Sequence, residues 1–187
     1  MTEQFLFYTL IELKMVIRFF ICVSLVLCTI CCFGQVDVDK MRSDYASAVQ
    51  NKKLCETNLK LLEKSANSAT EKGYLAAYEI LWAKHMGNPF SKLGQFKKGK
   101  KLLEEMIMKY PDNIDLRFIR WCVQTHAPSF LNYGKDRLRD KEYLVNNLHK
   151  LPNPKGREVI YKYLKEANSY LKGDHAFSQS ELNQLAK

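Results

Sequence analysis

Lys100 to Gln124, KKLLEEMIMKYPDNIDLRFIRWCVQ, is the densest block of apolar periodicity in the chain after its N-terminal segment. Leu102, Leu103, Met106, Ile107 and Tyr110 fall at three- and four-residue intervals, the spacing of one helix face. Pro111 cannot continue the ladder, and Asp112 with Asp115 predicts an N-cap followed by an acid in the first turn of a second helix. There Ile114, Phe118, Ile119, Trp121, Cys122 and Val123 cover more than half the circumference, so this helix must lie between neighbours on several sides. The block reads as the central hairpin of a stacked helical core. Arg117 and Arg120, at i and i+3, share a face, which predicts that one of them pairs with a carboxylate.

The same spacing extends outward. Met41, Tyr45 and Ala48, then Cys55, Leu59 and Leu62, mark two helices or one bent helix interrupted near Lys52, with a Ser65–Ser68 loop after them. Glu71 to Met86 reads as a helix ended by Gly87-Asn88-Pro89, with Ser91 capping the next. Past Gln124, the stretch from His126 to Asp136 contains Pro128, Gly134, Phe130 and Tyr133 and reads as a loop. The alternating charges of Arg137, Arg139 and Lys141 with Asp136, Asp140 and Glu142 predict an exposed helical start laced with salt bridges. Tyr143, Leu144, Leu148 and Leu151 return to the core, Val159 to Leu171 marks a last long helix, and Ser178 to Lys187 a short tail. The expectation is an all-α domain of six to eight helices packed as consecutive antiparallel hairpins.

The N-terminus differs in kind. Met15 to Gln35, MVIRFFICVSLVLCTICCFGQ, has a basic residue at Arg18, an uninterrupted apolar run and small residues before a cut near Gly34/Gln35, the pattern of a secretory leader. The run is shorter than the roughly 20 residues of a spanning helix, so a cleaved leader is expected rather than an anchor. Glu3 and Glu12 sit badly in a leader, which points to Met15 as the start. Residues 1–34 are thus read as extension and leader, and residues 35–187 as one domain exported to the periplasm or cell envelope. The cysteines inside the leader lack the flanking residues of a lipidation site, which ranks a soluble mature form above a lipid-anchored one.

Export leaves Cys55 and Cys122 as the cysteines of the mature chain, able to form one disulfide or to stay as buried thiols, the reading their apolar helical surroundings favour. The net charge of +9 is unchanged by cleavage, since the leader removes Lys14 and Arg18 along with Glu3 and Glu12. Such a surface attracts anionic lipid or glycan. Lys97, Lys98, Lys100 and Lys101 are the candidate patch, although a solvated helix face is the preferred explanation of them. Aromatic interleaving is sparse, so nucleic acid ranks low as a partner.

Counting back from Pro111, Met106, Leu103, Gly99, Phe90 and Gly87 fall near the spacings of the tetratricopeptide pattern, and the chain resembles one degenerate repeat of that type. Pro89 departs from it, falling inside the repeat's first helix. Asn88-Pro-Phe-Ser-Lys, Tyr110-Pro-Asp-Asn, Leu116-Arg-Phe-Ile-Arg and Gln124-Thr-His-Ala-Pro-Ser-Phe-Leu-Asn-Tyr resemble a family of small exported bacterial helical proteins of unknown activity. The resemblance spans about Tyr74 to Leu148 and implies a short α-solenoid with no catalytic residues and no cofactor.

Phosphate-binding loops, HExxH, GxSxG and EF-hand spacings are absent, and His85, His126, His149 and His175 lie far apart. The leading expectation is therefore a non-enzymatic scaffold or interaction protein that binds a protein or peptide through Arg117, Arg120, His126, Phe130 and Tyr133. A basic module for anionic lipid or glycan at the four lysines is the first alternative, and a hydrolase with an unrecognised motif the second.

Overall fold

Short polar residues determine where the helices begin. Asp37, Asn51, Ser68, Asn88, Asn113, Asn153 and Ser178 each accept a hydrogen bond from a backbone N–H of the helix that follows, satisfying donors that no carbonyl within the helix can reach. These helices are α1 (Val38–Ala48), α2 (Lys52–Ser65), α3 (Ala69–His85), α4 (Pro89–Lys109), α5 (Ile114–His126), α7 (Pro154–Ala167) and α8 (Gln179–Leu185), with α6 (Arg137–Asn147) between α5 and α7. This computed structural model describes residues 36–187 and Arg18; the expected leader, its cut and its four cysteines lie outside the described residues. Residues 36–187 form one compact unit, and among them the expected all-α architecture of six to eight helices is realised as eight.

Several boundaries differ from the sequence reading. Pro89 does not lie outside the fourth helix but opens it, at a position where a missing N–H costs nothing. Asn88, rather than Ser91, is its cap and accepts from Phe90 N at 2.8 Å and Ser91 N at 3.1 Å. Asn113, rather than Asp112, caps α5. The N-terminal stripe resolves into two separate helices, because Asn51 starts a new one by accepting from Leu54 N. The tail is a capped helix whose Leu185 is buried, and it packs on α6.

The centre of the fold is α3 rather than the Lys100–Gln124 hairpin. α3 packs most extensively along α4 and also touches α1, α2 and α5. Tyr74, Ala76, Ala77, Tyr78 and Leu81 bury nearly its whole circumference. Gly99 lets α4 approach: a Cβ there would meet the Ala76 carbonyl oxygen at 2.7 Å and Ile80 N at 3.0 Å. α5 is surrounded as its apolar circumference requires, by α3, α4 and α6. Trp121 reaches Phe177 at a ring separation of 5.7 Å, and Phe118 stands edge-on to Tyr163 at 5.4 Å.

Two buried ion-pair networks tie distant helices together. Arg42 of α1 holds Asp115 of α5 through Nε and Nη2, both at 2.7 Å, and the Tyr74 hydroxyl donates to the same carboxylate at 3.1 Å. Burial opposes the Arg42 charge, but the hydrogen bonds and charge of Asp115 outweigh it and hold the guanidinium protonated beyond its ordinary range. Arg42 also pairs with Asp39, which accepts from Asn153 Nδ2 at 2.8 Å beside α7. α1 and α7 are in contact, so the chain closes on itself beyond the nearest-neighbour stacking of an open solenoid. The second network centres on Arg120 and Asp140. It buries Asp140 in a helical start that the charge pattern predicts to be exposed, and the neighbouring Lys141 is buried separately against Glu181 and the Asp174 and Ala176 carbonyl oxygens.

Candidate functional site

An open apolar groove of about 770 Å³ is the most distinctive concave surface among the described residues. One wall is the end of α3, with Ile80, Leu81, Ala83 and Lys84. Another is the first two turns of α4, where Pro89, Phe90, Lys92, Leu93 and Phe96 line it. The end of α5 adds Cys122, Val123 and His126, and the segment after it adds Ala127, Pro128, Phe130 and Leu131. Tyr45 of α1, Val49 immediately after it and Tyr163 of α7 complete the lining.

Local sequence explains how the walls arise. Because Pro89 opens α4, Phe90, Leu93 and Phe96 recur at three-residue intervals along one stripe that faces the groove. After α5, Ala127 is extended, Pro128 follows, and a single 3₁₀ turn spans Ser129–Leu131. Asn132 then adopts φ 45°, a left-handed conformation that Asn tolerates, and reverses the chain. The outcome is two aromatic rings at the rim, Phe90 87% and Phe130 81% exposed, where apolar side chains of that size are normally covered.

Polar groups in the lining are few and their states are set by contacts. His126 Nδ1 lies 2.8 Å from the Cys122 carbonyl oxygen and so must be the donor, which in the neutral ring leaves Nε2, 3.1 Å from the Tyr170 hydroxyl, as the acceptor. Burial pushes the Cys122 thiol well above its ordinary value, and burial followed by the neighbouring Cys122 does the same to the Tyr45 and Tyr163 phenols. None of these three groups is poised as a nucleophile near neutral pH. Lys84 and Lys92 are exposed on the rim, and no carboxylate lines the groove among the described residues.

The residues singled out from sequence divide sharply. His126 and Phe130 come together on the groove. Tyr133 does not: it is buried, its hydroxyl donates to Glu104 Oε1 at 2.5 Å, and Phe96 packs edge-on against its ring. Arg120 is also withdrawn, 2% exposed, with Nη1 on Glu104 Oε2 at 3.0 Å and its other nitrogens on Asp140. Arg117 donates to Asp140 at 3.0 Å and to the Pro111 carbonyl oxygen at 2.9 Å, and lies over the Tyr143 ring. Arg120 is thereby withdrawn from the surface, which corrects the expectation that it meets a partner, whereas Arg117 stays half-buried.

The four lysines do not form one patch. Lys98 reaches the buried Glu79 at 2.6 Å, a hydrogen bond that raises the lysine pKa. Lys100 lies over the Tyr133 ring at 4.4 Å, Lys101 approaches Glu105 at 3.9 Å, and Lys97 is exposed. Cys55 and Cys122 are both free and buried, as their helical surroundings suggest, and the disulfide is not formed. Among the described residues, no group of three or more His, Cys, Asp or Glu side chains is arranged to hold a metal ion, and no helix is long and apolar enough to cross a membrane.

The groove itself was not legible along the chain, because Tyr45, Lys84, Phe90 and Tyr163 belong to four separate helices. The one local signal was the Phe90, Leu93, Phe96 stripe following a proline. A second cavity of about 610 Å³, near Asp112, Asp115 and Tyr143, is lined by polar groups already joined to one another or to Arg42. Comparison of the chain with known protein families, curated proteins and solved structures finds no match.

Proposed function

We propose that the chain is an exported binding protein of the bacterial cell envelope, related to the tetratricopeptide type, that works by holding an apolar moiety in the groove between α3, α4 and α5 rather than by catalysis. The observation that carries this reading is the pair of exposed rings, Phe90 and Phe130, flanking an apolar groove of about 770 Å³. Sites that take up small molecules or peptide anchors are concave, mostly apolar and roughly 300 to 1,000 Å³. The moiety belongs either to a protein or peptide partner or to a free amphiphile. Catalysis has less support, since the thiol and phenols in the lining are protonated by burial and the His126 ring nitrogens are engaged. A surface for anionic lipid or glycan at Lys97 to Lys101 also has less support, because Lys98 and Lys100 are engaged with Glu79 and Tyr133.

Photo-crosslinking side chains placed at Phe90 and Phe130, with Met108 as an equally exposed apolar control outside the groove, test the reading in cell envelopes. Adducts at the two groove positions and none at Met108 are expected, with mass spectrometry reporting whether they are peptide or small molecule. Equal labelling at all three positions would overturn it.

A further inference from the structure

We infer that the groove binds a long-chain fatty acid, with the acyl chain along the apolar walls and the carboxylate at Lys84 and Lys92. The inference rests on the groove reading above and names its ligand.

The lining decides between ligand classes. Apart from Lys84, Lys92 and His126, its side chains are apolar or aromatic, and both His126 ring nitrogens are engaged by Cys122 and Tyr170. An extended peptide would bring a run of backbone N–H and C=O groups against walls whose polar atoms are few, chiefly the Tyr45 and Tyr163 hydroxyls, and burial of the unmatched remainder is costly. An acyl chain has no such groups to satisfy.

The charge points to the headgroup. Gly99 stands against Ala76 and Ile80, and Lys98 reaches Glu79, so the antiparallel register of α3 and α4 sets Lys92 across from Lys84. Neither lysine makes an ion pair among the described residues. Two cations lining one apolar trough, with no carboxylate in the lining among the described residues, complement a single anionic group. Both ammonium groups are at the exposed rim, where a carboxylate can pair with them and keep part of its hydration.

The test is displacement of fluorescent cis-parinaric acid by palmitic acid and by hexadecanol, using the full chain and a chain beginning at Gln35. The latter retains the whole described core and its compact unit. One saturable palmitate site is expected, at least ten-fold tighter than for hexadecanol. Lys84→Glu with Lys92→Glu should erase that preference and leave hexadecanol affinity unchanged; Leu93→Asp, in the wall, should weaken both at least ten-fold. Circular dichroism of these exposed-site variants should match the unaltered protein. Lys97→Glu with Lys101→Glu makes the same charge change away from the groove, and loss of the preference in that control would overturn the inference. So would equal affinity for acid and alcohol. Palmitate binding by neither chain would also overturn it, whereas binding by the shorter chain alone would uphold the site in the exported form and place the N-terminal segment in the groove before cleavage. Peptide adducts at Phe90 and Phe130 without palmitate binding would overturn the fatty acid while upholding the groove as the binding site.

Discussion

Arg120 grips Asp140 along both edges, Nε to Oδ2 at 2.6 Å and Nη2 to Oδ1 at 2.8 Å, with neither residue more than 2% exposed. The pair joins α5 to α6, and Glu104 of α4 and Arg117 satisfy the remaining atoms. A charge in this position is tolerated only while its partner is present. Arg120→Met alone should therefore cost about 3 to 5 kcal/mol, because it strands the Asp140 carboxylate. Replacing both with apolar residues, Arg120→Met and Asp140→Leu, should cost much less than the sum of the two single changes. Urea unfolding of the two singles and the double, read as a mutant cycle, measures this, and additive losses would show the pair to be uncoupled.

Gly94 and Gly99 are both interior to α4 but have opposite surroundings. Nothing lies within 4 Å of a Cβ built at Gly94, whereas one at Gly99 meets the backbone of Ala76 and Ile80. Gly94→Ala should stabilise by about 0.5 to 1 kcal/mol through helix propensity. Gly99→Ala should destabilise by about 1 to 3 kcal/mol, since α3 and α4 must separate. Thermal melts of the two variants decide the matter, and a harmless Gly99→Ala would place the helices farther apart than described.

Burial pushes the Cys55 thiol up to about 11 and raises the Cys122 thiol well above its ordinary value. Neither should react with a thiol-specific disulfide reagent while the protein is folded, and both should react at once in denaturant. Oxidant should not raise the melting temperature of the native protein. A mass shift of two hydrogens on native oxidation, with a higher melting point, would instead reveal a bond between them.

His175 adds a pH dependence. Burial, then the positive charges of Arg137 and Lys141, lower its pKa below the ordinary 6.5, and Arg137 Nε donates to its unprotonated Nδ1 at 3.1 Å. The unfolded chain thus binds the proton more readily than the folded one. Stability rises with pH across the window just below 6.5 and declines on acidification through it. His175→Gln should lose less melting temperature than the unaltered protein between pH 7 and pH 5. An equal loss in both would assign the acid sensitivity to other groups.

Pro111 and the Gly87-Asn88-Pro89 stop show what could be read along the chain, while the caps Asn88 and Asn113 lie within three residues of the expected Ser91 and Asp112. Capping and helix termination depend on residues within one turn, so those boundaries follow from local chemistry. Asp140 and Arg120 show the opposite. In the sequence they resemble many exposed charges, and only the crossing of α5 and α6 removes them from water. Phe130 was singled out in the sequence as a loop ring able to meet a partner, but Phe90 was not, since only the start of α4 at Pro89 leaves its ring exposed.

Apolar spacing and caps therefore determined that residues 36–187 are helical, how many helices they form to within a few, and that α5 is enclosed, because both act over three or four residues. Which helix lies at the centre, which arginines are buried and where a groove opens were decided by tertiary packing. Gly99 against Ala76 draws α3 onto α4, and Tyr45, Lys84, Phe90, His126 and Tyr163 meet only because that packing leaves their helices around one unfilled space.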